Sequence, residues 1–163
     1  MSFRQTFAIL AAALLFVAPV SSHEFSIATI EIEHPFLRAT PPNASTGAGY
    51  MIIRNKGSEP DRLISIETEA AARVEFHRSV IEDGVAKMIP IEGGIEIPAG
   101  GEFGLGFDGT HAMLVDLTAP IGLGEIITGT LIFEKAGKLE MDFEVEPMGA
   151  TLEGELADHE SGH

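Results

Sequence analysis

The sequence predicts an all-β domain, a sandwich or barrel of short strands. Three observations carry this. Past the N-terminal segment helical periodicity nearly vanishes. Short runs of alternating apolar and polar residues replace it, and Gly- and Pro-rich turns separate those runs at regular intervals. The chain has 163 residues, a one-domain length.

The elements follow in order. Residues 25–33, FSIATIEIE, alternate and read as a strand. Residues 34–47, HPFLRATPPNASTG, read as a proline-rich connection. AGYMIIRNKG is a strand ending in the turn signal Asn55-Lys56-Gly57. DRLISIET and ARVEFHRS follow; the intervening TEAAAR is the one candidate helical turn. EDG, residues 82–84, is a hairpin turn leading into VAKMIPIE. GIEIPAGG, EFGLGF, HAMLVDL, EIITGTLIFE and KLEMDFEVE complete the set, the last two joined by KAGK. From Pro147 the pattern stops, and residues 147–163 read as a flexible, His-containing tail.

The first residues, MSFRQTFAILAAALLFVAPVSSHEF, read as a secretory signal. Arg4 supplies the positive start, residues 7–17 form a short apolar core, and Val20 and Ser22 suit a signal peptidase. Cleavage after about Ser22 would leave His23 as the mature N-terminus. The expected organisation is a signal at 1–22, a β domain at 23–146 and a tail at 147–163, with no membrane segment after cleavage.

The formal net charge is −15, which argues against nucleic acid and anionic membranes as partners. There are no cysteines. Disulfides, zinc ribbons, thioredoxin-type chemistry and the thiolate of a blue-copper site are therefore excluded.

Histidine and methionine remain as soft or borderline donors. In ARVEFHRS, Val74 and Phe76 face one side and Glu75 and His77 the other, so His77 lies on the polar face. Met88 lies in the hairpin partner just downstream. In GTHAMLVDL, His111 and Met113 share a face at the start of a strand. Thioether sulfur favours Cu(I) over zinc, magnesium or calcium, carries no proton, and forms no disulfide in an oxidising compartment. Met51 and Met141 read instead as core filler. On spacing alone the His-x-Met pair leaves both a metal site and a solvated strand edge open.

The order of these residues resembles the periplasmic copper chaperone family called PCuAC. Its signature is His or Met, ten residues, Met, twenty-one residues, His, one residue, Met. Here ten residues separate His77 from Met88, twenty-two separate Met88 from His111, and Ala112 separates His111 from Met113. The extra residue falls within the Gly-rich stretch PAGGEFGLGFDGT, where insertion costs little. RATPPNASTGAGYM, VEFHRSVIEDGVAKM, IEIPAGG, GTHAMLVDL and GTLIFEKAGKLEMDFEV all resemble the family in one colinear pass; HPFLR departs from it, with His34 where an aromatic is common.

The resemblance implies a cupredoxin-like Greek-key β-barrel that binds one Cu(I) through His77, Met88, His111 and Met113. It implies a monomeric periplasmic carrier, which delivers copper towards the CuA centre of cytochrome c oxidase, alone or through a thiol-bearing copper chaperone. It also implies a second ion as Cu(II), for which His159, His163, His23 and Met148 are the candidate donors.

Two other classes fit parts of the sequence. An N-terminal His23 can chelate copper through its amine and ring, as in oxidative polysaccharide-cleaving enzymes. Those need a broad aromatic substrate face, and this chain has one Tyr and no Trp. No Gly-x-Ser-x-Gly motif supports hydrolysis. The expectation is a binding and transfer protein, not an enzyme; the alternative is a metal-free exported β-sandwich interaction module.

Overall fold

A computed structural model describes residues 24–153 and Ala157. Eleven strands occur among these residues: β1 (Phe25–Ile27), β2 (Ile30–Arg38), β3 (Thr46–Asn55), β4 (Asp61–Thr68), β5 (Ala71–Glu82), β6 (Val85–Pro90), β7 (Ile95–Ile97), β8 (Glu102–Leu105), β9 (Thr110–Leu117), β10 (Ile126–Phe133) and β11 (Gly137–Glu146). The all-β class stands, and the architecture is the cupredoxin-like β fold. The strands form one continuous sheet in the order β6-β5-β9-β3-β2-β11-β10-β4-β7, with β1 added on β2 and β8 on β3. Every pairing is antiparallel except β2 with β11.

The sheet curls around one core because its strands carry an apolar face. β11 shows the rule: Met141, Phe143 and Val145 are buried while Glu140, Asp142 and Glu144 are exposed or facing out. Met51 and Met141 both lie in this core, as their apolar contexts predicted.

β3 is different. Tyr50, Met51, Ile52 and Ile53 are all buried, so both faces of the strand are covered. Met51 and Ile53 enter the main core. Tyr50 and Ile52 form a second cluster with Phe36 and Leu152. Leu152 is 1 % exposed. The chain thus stays packed beyond residue 146, where the alternating pattern ends, and only later residues of the expected tail lie outside the described region.

Two local readings change. β2 does not end at Glu33 but runs on to Arg38. Its register against β3 shifts between Glu33 and Phe36, with His34 at φ 49. Proline has no N–H for the ladder, and a bulge is where a strand tolerates it. The TEAAAR segment is no helical turn. Thr118 donates to the carbonyls of Glu69 and Ala70, and the chain re-enters the sheet at Ala71. Tertiary contacts override local helix propensity here.

The β5–β6 hairpin turns at Asp83 and Gly84, with φ 52 and 77. Two positive φ values mark the tight turn that matches strand twist. β6 is an edge strand with every residue exposed. It projects as an arm, and Met88 lies on it.

Candidate metal centre

The centre is built on the β5–β9 ladder. His77 lies opposite His111, and Glu75 lies opposite Met113. Between them Phe76 faces Ala112, both buried in the core. The period-two alternation therefore places two imidazoles, a thioether and a carboxylate together on the other face. The imidazole ring centroids are 6.2 Å apart. Metal–imidazole bonds of about 2 Å put a ring centroid about 3 Å from the ion, so these rings can flank one ion.

Each ring has one nitrogen engaged. His111 Nδ1 lies 3.1 Å from the Gly109 carbonyl, which can only accept. Nδ1 therefore carries the proton, and the Nε2 lone pair is left for a ligand. Gly109 holds this turn at φ +71, and a Cβ there would approach the Ser79 carbonyl to 2.7 Å. His77 uses the opposite nitrogen. Its Nε2 donates to Glu75 Oε2 at 2.9 Å. Its Nδ1 is buried and has no hydrogen-bond partner. A buried nitrogen without a partner is costly unless something else fills the position.

Glu75 is itself fixed. Arg73 Nε donates to Glu75 at 2.7 Å, and Arg73 also pairs with Asp116 at 2.8 Å. The Arg73 hydrogen bond first, and the His77 hydrogen bond second, hold the Glu75 carboxyl below the usual carboxylate range. It stays ionised and keeps accepting from His77. This carboxylate–histidine pairing is a familiar support for metal-binding imidazole.

Beside the ladder lies a solvent-open cavity of about 280 Å³. Met88, His111, Met113 and Met148 all line it, with Arg38 and Ala48 among the neighbouring walls. Met88 is 59 % exposed, so its thioether is reachable from solvent. Among the described residues no group of three or more His, Cys, Asp or Glu side chains is placed to hold a metal ion without thioether donors. The donors that gather are imidazole and thioether, a set suited to a soft ion.

The sequence pattern of the family described as "LpqE-like: Putative lipoprotein LpqE-like" matches residues 30–145. A copper-bound PCuAC domain from PmoF2 superposes with a TM-score of 0.65 at 31 % identity, over 77 % of this chain and 98 % of that one. The chain belongs to this LpqE-like, PCuAC-type family. The apo form of the PmoF2 PCuAC domain matches equally, at 31 % identity and TM-score 0.65, over 79 % of this chain and 98 % of that one. The solution structure of CuI-DR1885 from Deinococcus radiodurans matches at 25 % identity and TM-score 0.55, over 80 % of this chain and 84 % of that one. The putative lipoprotein Lxx21020 of Leifsonia xyli subsp. xyli (strain CTCB07) is 33 % identical over 86 residues, 53 % of this chain. The match covers 52 % of Lxx21020, so the chain spans about half the length of that relative.

In this PCuAC-type domain three of the four expected ligands, Met88, His111 and Met113, line one cavity. The fourth, His77, stands beside His111 across the ladder. His34 sits at the β2 bulge, away from this ladder in the strand order. His23, His159 and His163 lie outside the described residues. Sequence reading assigned no role to Glu75, although its place two residues before His77, on the same face, was the available signal. The sequence reading expects Met148 at the second, Cu(II) site rather than at this cavity, and reads Arg38 only as the start of the RATPP segment.

Proposed function

We propose that the protein is an exported copper carrier that holds Cu(I) between His77, His111, Met113 and Met88 and passes it to an acceptor. The observation that carries this reading is the buried, partnerless Nδ1 of His77, set across one ladder from an imidazole whose Nε2 is also free. The thioethers of Met88 and Met113 line the cavity together with His111. Neutral sulfur and nitrogen bring no charge, so a monovalent d¹⁰ ion is favoured over hard divalent ions. The copper-bound PCuAC neighbours support copper as the cargo.

The working cycle is ligand exchange without substrate chemistry. Cu(I) enters the open cavity and settles on the two ring nitrogens and the sulfurs. An acceptor then displaces the thioethers, beginning with Met88 on its exposed arm. The acceptor in this reading is the CuA site of cytochrome c oxidase or a thiol-bearing copper chaperone in the periplasm, and the carrier works as a monomer after removal of residues 1–22. A second ion, as Cu(II), would use His23, His159 and His163, because flexible nitrogen donors suit that ion.

The test is an anaerobic competition titration with a chromogenic Cu(I) chelator. Wild type should bind one Cu(I) in the folded domain. His111→Ala and Met113→Ala should each lose about a hundredfold or more in affinity while keeping the thermal midpoint within a few degrees. Unchanged affinity in both variants overturns the assignment.

A further inference from the structure

The segment after β11 is tied down at two points around a single methionine. Arg38 Nε donates to the Ala150 carbonyl at 2.6 Å, and the Ala150 N–H donates to the Pro147 carbonyl at 2.9 Å. Leu152 is sealed against Phe36, Tyr50 and Ile52. The Arg38 guanidinium also lies 4.5 Å from the centre of the Tyr50 ring, so its position is fixed from both sides. Between β11 and these anchors, Met148 lines the cavity that holds Met88, His111 and Met113.

Met148 does not behave as filler. The two structural methionines, Met51 and Met141, are 0 % and 2 % exposed, whereas Met148 is 62 % exposed. Its side chain gains little from burial at this place. What the cavity offers instead is a soft donor set to which a thioether adds a further sulfur. Met148 and Met88 are both half-open to solvent on the same cavity, one on the C-terminal segment and one on the β6 arm.

We propose that Met148 is a third thioether donor to the Cu(I) carried in this cavity, standing in for Met88 when the arm releases the ion. This rests on the Cu(I) reading of the preceding subsection. It moves Met148 from the tail's second site to the first. The ion then keeps two nitrogens and two sulfurs while one sulfur at a time is exchanged, and the anchored segment supplies that sulfur at high effective concentration.

The test uses the mature full-length chain and Met→Leu changes, which keep volume and remove sulfur. Met88→Leu and Met148→Leu should each weaken Cu(I) binding only about threefold, since either sulfur covers for the other, while the double variant should lose about a hundredfold. X-ray absorption of the Cu(I) form should show one sulfur fewer in the double variant than in either single variant. Thermal midpoints should not move, because both side chains are exposed. His111→Ala serves as the reference. If it loses binding but Met148→Leu has no effect in the Met88→Leu background, this inference fails and the carrier reading stands. If His111→Ala binds as tightly as wild type, the carrier reading fails, and this inference with it.

Discussion

Removing the Glu75 carboxylate should weaken Cu(I) binding without touching a ligand. In Glu75→Ala the His77 Nε2–H loses its acceptor at 2.9 Å, and Arg73 loses its 2.7 Å partner. The imidazole is then free to rotate or to move its proton to Nδ1, the nitrogen that is otherwise buried without a partner. Carboxylates that orient a metal-binding imidazole are worth about ten- to a hundredfold in affinity. The Glu75 side chain is 39 % exposed, so water can replace part of the interaction. The expected loss is therefore at the low end, about tenfold, or about 1.4 kcal/mol of binding. Glu75→Gln retains an acceptor oxygen and should lose less. The assay is chelator competition, with Glu140→Ala on the exposed face of β11 as a control for the loss of one negative charge. Affinity of Glu75→Ala within about twofold of wild type, or an equal loss in Glu140→Ala, would refute the positioning argument.

Two further outcomes follow from the second apolar cluster. Leu152→Ala should cost about 2–3 kcal/mol, the low end for Leu→Ala, because a segment near the chain end can settle into the gap. Urea unfolding followed by fluorescence of Tyr50, the sole tyrosine in a chain without tryptophan, reads this directly; a change under about 0.5 kcal/mol would show that the segment is not docked. Burial pushes the Tyr50 phenol above its ordinary 10.0, with Arg38 opposing in part. A raised folded value means the native state holds its proton longer than the unfolded chain does. Stability should thus be full below pH 10.0 and fall as pH rises through the folded value, and phenolate difference spectra should shift toward 10.0 in Leu152→Ala. An ordinary phenol titration in the wild type would contradict this burial.

Much of the fold was legible because alternation is a local signal. In β10 and β11 each inward residue is followed by an outward one, and the main core uses those inward positions. Asp83-Gly84 specified its own turn, since few residue pairs accept two positive φ values. β2 was harder to read, because a proline inside a strand shows only when a bulge removes the need for its N–H. The Ala-rich stretch from the end of β4 into β5 looked helical for a similar reason: the Thr118 contacts that hold its turn at Glu69 and Ala70 come from a distant part of the chain.

The candidate site divides along the same line. The sequence by itself determined that His111 and Met113 share a face, that Glu75 and His77 share another, and that no thiolate is present, because side-chain direction in a strand repeats every two residues. Only the tertiary structure decided that these two faces are one face. That required β5 and β9 to pair with His77 opposite His111, a register set by burying Phe76, Ala112 and Leu114. It also required Leu152 to seal over Tyr50, which brings Met148 to the cavity. Such pairings join residues dozens of positions apart, and their register follows from the packing of the whole core.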